Sequence, residues 1–144
     1  MKPSVLKMSH EESLRQNGYT VCSPISGSMK PSIRPHRDSV VFVPPHTLRP
    51  YDVALYRRNG QAIMHRIIKV RGDTCLIRGD NSVSLEEVPA RDIFGVMKGF
   101  YRGDRYVDAA SPGYRLFARC WVALAPLLPQ ARRARRLCQR LLHG

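Results

Sequence analysis

Asp52-Val53-Ala54-Leu55-Tyr56-Arg57, then Arg58-Asn59-Gly60-Gln61, then Ala62-Ile63-Met64-His65-Arg66-Ile67-Ile68-Lys69-Val70 decides how this chain folds. The outer runs carry the branched and aromatic side chains that suit a pleated surface. Asn-Gly between them tolerates the left-handed backbone that a tight two-residue turn demands, so the stretch predicts an antiparallel hairpin. Similar runs lie on either side: Tyr19 to Cys22, Ser39 to Val43, Thr74 to Arg78 and Ile93 to Met97, with a closing hairpin over Tyr101 to Val107. Arg34 to Asp38, Pro44-Pro45, Leu48 to Tyr51 and Arg71-Gly72-Asp73 punctuate them as turns, and Val88 to Arg91 reads as a connector. At least seven short strands at this spacing predict an all-β fold, a partly closed barrel or a sandwich.

The two ends differ from this middle. Ser9-His10-Glu11-Glu12 has the form of a capping box, which predicts a short helix to about Asn17, closed by Gly18. That helix is mostly polar and suits a lid or a packing element. Beyond Ala109, Ser111-Pro112-Gly113 breaks the pattern, and Tyr114 to Gly144 is rich in Leu, Ala and Arg. Pro126 and Pro129 divide it into two helical pieces. The second, Ala131 to His143, places Leu137, Leu141 and Leu142 on one face among arginines, a basic amphipathic helix. The expected organisation is a helical segment over 1–18, a β-rich domain over 19–110 and a basic tail over 111–144.

Of the 144 residues, 43% are hydrophobic, which excludes a globally disordered chain. The net charge of +13 suits nucleic acid, an anionic membrane surface or an acidic partner. Arg115, Arg119, Arg132, Arg133, Arg135, Arg136 and Arg140 supply much of it, with no Asp or Glu after Asp108 to offset them. Cys22, Cys75, Cys120 and Cys138 form no CxxC pair and no Cys/His cluster with zinc spacing. Reduced thiols are expected, with Cys22 and Cys75 in the core, and neither a metal nor a cofactor. Met1 to His10 lacks the apolar centre of a secretory signal, and the longest apolar run, Cys120 to Leu128, is short and contains Pro126. These features predict a cytoplasmic protein, or one peripheral at the cytoplasmic membrane.

Ser26-Gly27-Ser28-Met29-Lys30-Pro31-Ser32-Ile33 is a poor helix and a poor strand, so it reads as a shaped loop that presents a hydroxyl. A serine hydroxyl is a weak nucleophile and needs a base and oxyanion donors. Ser28 is the candidate nucleophile, with its own amide and the Ser26 hydroxyl as candidate oxyanion donors. Lys30 has no reason to face Ser28. His65 is the candidate base; strand alternation sets Ile63, His65 and Ile67 on one face and Met64, Arg66 and Ile68 on the other. Partial burial favours its neutral, proton-accepting form. His10, His36, His46 and His143 lie in tail, turn or terminal settings and are weaker candidates. Asp80, in Gly79-Asp80-Asn81, is a candidate to hold the far imidazole nitrogen, and Glu86 is a second carboxylate for the same place. Spacing does not choose between them.

Taken together, Ser26-Gly27-Ser28-Met29-x-Pro31, Tyr51 to Tyr56, His65 to Val70, Gly79-Asp80-Asn81 and Ile93-Phe94-Gly95-Val96 resemble the signal peptidase I family over roughly residues 20–100. The branch resembled carries a Ser–His pair and occurs in the endoplasmic reticulum, in archaea and in some Gram-positive bacteria. The resemblance implies an all-β peptidase fold, Ser28 as nucleophile, Ser26 and the Ser28 amide as oxyanion hole, and Asp80 as the Gly-Asp-Asn aspartate. It places His65 where bacterial signal peptidases and LexA-type repressors carry a lysine. It further implies small residues before the scissile bond of a signal-like or leader peptide. The chain departs from the family in having a polar helix where an apolar anchor precedes the serine motif, and so looks like its short relatives. Two other readings compete: a non-catalytic peptide- or membrane-binding module, and a LexA-like self-cleaving regulator. The region before residue 20 leaves no room for a helix-turn-helix, so nucleic acid is a disfavoured partner. A peptide or precursor protein is the expected one, with an anionic membrane surface meeting residues 114–144.

Overall fold

In the computed structural model, which describes residues 9–24, 26–82, 84–127 and 140–142, Asn59 and Gly60 take φ of 52° and 77°. The turn they form joins β3 (Val53–Arg58) to β4 (Gln61–Arg71), with Arg58 opposite Gln61. The other strands are β1 (Thr20–Cys22), β2 (Asp38–Val43), β5 (Thr74–Arg78), β6 (Glu86–Pro89), β7 (Ile93–Arg102) and β8 (Arg105–Asp108). All pair antiparallel in one eight-stranded sheet of order β1-β2-β7-β3-β4-β5-β6, with β8 added beside β7. Among the described residues β1 and β6 end the strand order without pairing each other, so the all-β expectation holds without closure into a barrel. β6 replaces the expected connector. It is an edge strand of four residues, and Glu-Glu and a terminal Pro hide its pattern. β7 runs five residues past the expected Met97, to Arg102.

Both faces of the central strands are covered, which is why Val53 to Tyr56 are all buried. On one face Met29, Ile33, Val40, Phe42, Val53, Leu55 and Phe100 form a core, with Met64 against it. On the other, Ala54, Tyr56, Ile67, Cys75, Ile77 and Val88 pack with Ile63. The alternation read along β4 is thus observed as far as Ile67, after which a register shift against β5 interrupts it, and Cys22 and Cys75 are buried as expected.

The helix α1 (His10–Asn17) has both hydrogen bonds of the Ser9/Glu12 capping box and ends at Gly18 with φ 76°. Its one buried side chain, Leu14, lies against Gly95 of β7, where any Cβ would close to 3.5 Å from it. The tail begins with α2 (Pro112–Leu124), whose proline sits at the helix start, where its missing N–H costs nothing. Tyr114 and Ala118 turn inward, and Tyr114 meets Phe100 edge-on at 6.0 Å. Leu116, Leu124 and, in the short turn after α2, Leu127 are exposed. The amphipathic helix expected over Ala131 to His143 lies outside the described residues except for 140–142, which are helical. Among the described residues, no helix is long and apolar enough to cross a membrane.

Candidate active site

β5 pairs with β4 only from Arg66 onward, so among the described residues the Gln61 to His65 half of β4 has no strand on that side. The loop after β1 comes to this gap. Met29 and Ile33 are buried and root the loop in the core. Lys30 N–H donates to the Gly27 carbonyl at 3.2 Å and Ile33 N–H to the Met29 carbonyl at 3.0 Å, which tightens the backbone around Ser28. From the opposite side Asn81 N–H donates to the Ser28 carbonyl at 2.8 Å, and Asn81 Nδ2 to the Gly27 carbonyl at 3.2 Å. Gly79 allows this approach: a Cβ there would lie 2.7 Å from the Ser28 carbonyl oxygen and 3.1 Å from His65 Nε2.

The result brings Ser28 Oγ to 3.2 Å from His65 Nε2. The Ser28 amide donates to Ser26 Oγ at 3.2 Å, so the two expected oxyanion donors lie side by side. His65 Nδ1 lies 3.2 Å from the Tyr56 hydroxyl, which in turn donates to Glu86 Oε2 at 2.9 Å. Arg58 donates to the same Glu86 oxygen at 2.7 Å. The Tyr56 proton is thereby spent on Glu86, and its oxygen remains to accept from Nδ1–H. That assigns the proton to Nδ1 and leaves the Nε2 lone pair facing the Ser28 hydroxyl. Burial pushes the His65 imidazole below its ordinary value, and Arg58 adds to this against the opposite pull of Glu86 and Asp80. His65 is accordingly a neutral base at pH 7. Burial, reinforced by Glu86, pushes the Tyr56 phenol up, so it stays protonated.

Asp80 is elsewhere engaged. Its carboxylate accepts from Arg66 Nε and Nη2, each at 2.8 Å, and from the Ser32 hydroxyl. Arg66 is fully buried and also donates to the Tyr51 carbonyl at 2.7 Å and the Tyr114 hydroxyl at 3.0 Å. Trp121 of α2 donates to the Asp80 carbonyl at 2.8 Å. The structure therefore does not bring the Asp80 carboxylate onto His65. A guanidinium at full burial captures it, and Asp80 shapes the turn that seats Ser28. Glu86 does approach the imidazole, through Tyr56. Tyr56, Arg66 and Gly79 are site residues that the sequence motifs do not single out. Tyr56 was within reach, because the Asn59-Gly60 turn sets Tyr56 opposite Ile63 and Ala54 opposite His65, on one face.

A cleft of about 630 Å³ opens over the pair, with Met29, Leu55, Ile63 and Met64 in its wall and Arg58 and Gln61 also lining it. His10 and Cys22 line it as well, with Cys22 Sγ 3.4 Å from His10 Nε2. Burial pushes the Cys22 thiol up to about 11, so it does not compete as a nucleophile. Among the described residues, no three or more His, Cys, Asp or Glu side chains gather as a metal site. A hydroxyl, a neutral imidazole behind it and two adjacent donors are the groups that acyl transfer needs. No family model matches the chain, and no curated protein matches it.

Proposed function

We propose that this chain is a serine endopeptidase that cleaves a signal-like or leader peptide through Ser28 and His65. The observation that carries the reading is the 3.2 Å contact of Ser28 Oγ with a neutral His65 Nε2 at the floor of an open cleft. The resemblance of the five motifs to the signal peptidase I family supports the same reaction. Ser28 Oγ attacks the scissile carbonyl carbon while its proton passes to Nε2. The carbonyl oxygen, now negative, takes the Ser28 N–H and the Ser26 O–H in place of their mutual bond. Collapse of the tetrahedral adduct breaks the C–N bond, and Nε2–H protonates the leaving amine. Water, deprotonated by the same nitrogen, then releases the acyl group and restores Ser28. The side of Gln61 to His65 that faces away from β3 offers backbone groups to an extended peptide, and the apolar wall takes its side chains.

The tail supplies the second partner. α2 exposes Leu116 and Leu124, and Arg119 is exposed between them. From residue 109 onward seven arginines stand with no carboxylate side chain. Apolar exposure with one sign of charge suits an anionic bilayer, so the enzyme works as a peripheral protein at the cytoplasmic membrane.

Reaction with a peptide-like acylating probe, read by intact mass, tests the activity. Wild type gains one adduct, and Ser28→Ala and His65→Ala gain none. A folded wild type that stays unlabelled, with and without anionic vesicles, replaces this reading with a peptide-binding module.

A further inference from the structure

We propose that Tyr56 and Glu86 together are the third member of the site: Tyr56 is the positioning residue that holds the His65 tautomer, and Glu86 supplies the charge behind it. This rests on the serine-peptidase reading. In most Ser–His arrangements a carboxylate touches the imidazole directly and accepts its far N–H. Here the Gly-Asp-Asn carboxylate, Asp80, is engaged by Arg66 and Ser32. The atom in contact with Nδ1 is a phenol oxygen, and that phenol is one hydrogen bond from Glu86.

The direction of the chain is fixed by what each group can donate. Glu86 as a carboxylate only accepts, and it accepts hydrogen bonds from Tyr56 and Arg58. Tyr56 has one proton, which points to Glu86. Its oxygen therefore accepts from Nδ1–H, and Nε2 is left bare for Ser28. When His65 takes the serine proton, the imidazolium sits beside a phenol polarised by an anion. Tyr56 and Glu86 keep their own protonation states throughout. Arg58 tempers the arrangement, because its guanidinium shares Glu86 and lowers the basicity of His65.

Two substitutions divide the roles. Tyr56→Phe keeps the ring in the core and deletes the acceptor. Glu86→Gln keeps an acceptor for the Tyr56 proton and deletes the charge. Imidazole 15N chemical shifts, assigned to His65 by comparison with His65→Gln, report the tautomer whether or not the protein cleaves anything. The expected result is Nδ1–H in wild type and in Glu86→Gln, and a shift toward Nε2–H in Tyr56→Phe. Acylation by the peptide-like probe falls about tenfold or more in Tyr56→Phe. In Glu86→Gln the pH midpoint of acylation, and of the His65 shifts themselves, moves lower.

Wild-type Nε2–H, or a Tyr56→Phe protein that keeps both Nδ1–H and the wild-type acylation rate, overturns the positioning role of Tyr56. A Glu86→Gln midpoint that stays in place or rises overturns the role of Glu86, and this arm stands even where Tyr56→Phe does not fold. Where the tautomer shifts as expected but wild type is never acylated, the relay stands and the peptidase reading alone falls.

Discussion

Asp80→Asn separates a structural aspartate from a catalytic one. Arg66 and Asp80 have side-chain exposures of 0% and 2% and are joined by two bonds of 2.8 Å. Asparagine preserves the size but removes the charge, and one of its two terminal atoms becomes a donor facing donors on Arg66 or Ser32. Arg66 is left with neutral acceptors alone: the one amide oxygen of the asparagine, the Tyr51 carbonyl and the hydroxyls of Tyr114 and Ser32. Breaking a buried pair from one side costs about 3–5 kcal/mol, a large share of the roughly 5–15 kcal/mol that holds a domain folded. At about 2–4 °C per kcal/mol for a chain of this size, the thermal midpoint falls by roughly 6–20 °C. Thermal and urea unfolding at pH 7 measure it. Exchanging both partners for apolar ones, Arg66→Met with Asp80→Leu, recovers much of the loss, since neither charge is then stranded. A loss below about 1 kcal/mol, together with a displaced pH profile of acylation, would refute this reasoning and return Asp80 to the imidazole.

Acylation of Ser28 rises with pH as His65 deprotonates, with a midpoint below the ordinary imidazole value of 6.5 and a plateau by neutrality, because burial lowers its pKa; a profile still climbing between pH 7 and 8 contradicts a neutral buried base. The same shift makes stability pH-dependent. The unfolded chain binds more protons at His65 and at His10, whose pKa burial and Arg57 also lower, so stability declines as pH falls through 6.5. Urea midpoints at pH 7 and 5.5 check this, and His10→Gln with His65→Gln flattens the decline. Gly79→Ala drives a Cβ against the Ser28 carbonyl and the His65 ring, costs about 1–3 kcal/mol by overpacking and slows acylation; unchanged labelling removes the close-approach argument. Replacing Leu116, Leu124 and Leu127 with Ser weakens flotation with anionic vesicles while acylation in solution persists. Equal flotation of the triple variant discards this face as the lipid contact. The replacement is preferred to deleting residues 114–144, which would also remove the Tyr114 and Trp121 bonds to Arg66 and Asp80.

Local chemistry was enough for much of this protein. Asn59-Gly60 dictates a two-residue hairpin and with it every cross-strand pair from Arg58–Gln61 to Val53–Arg66. Ser9 and Glu12 start α1 and Gly18 ends it through bonds made within one turn. Ser28 and His65 stood out because a loop serine and a mid-strand histidine are the residue types that acyl transfer requires. β6 escaped notice because four residues, half of them glutamates, bury only Val88 and leave no alternation to read. The alternation along β4 named the faces of His65 and Arg66 correctly, but a face is not a distance. Which carboxylate meets which cation depends on elements far apart in the chain. Arg66 lies in the middle of β4 and Asp80 in the turn after β5, and full burial demands that the guanidinium find an anion there. Once Arg66 had claimed Asp80, the imidazole was left to Tyr56 and, behind it, to Glu86 on the strand that the pattern had hidden. Desolvation across the whole fold allots these partners, so their assignment belongs to tertiary structure.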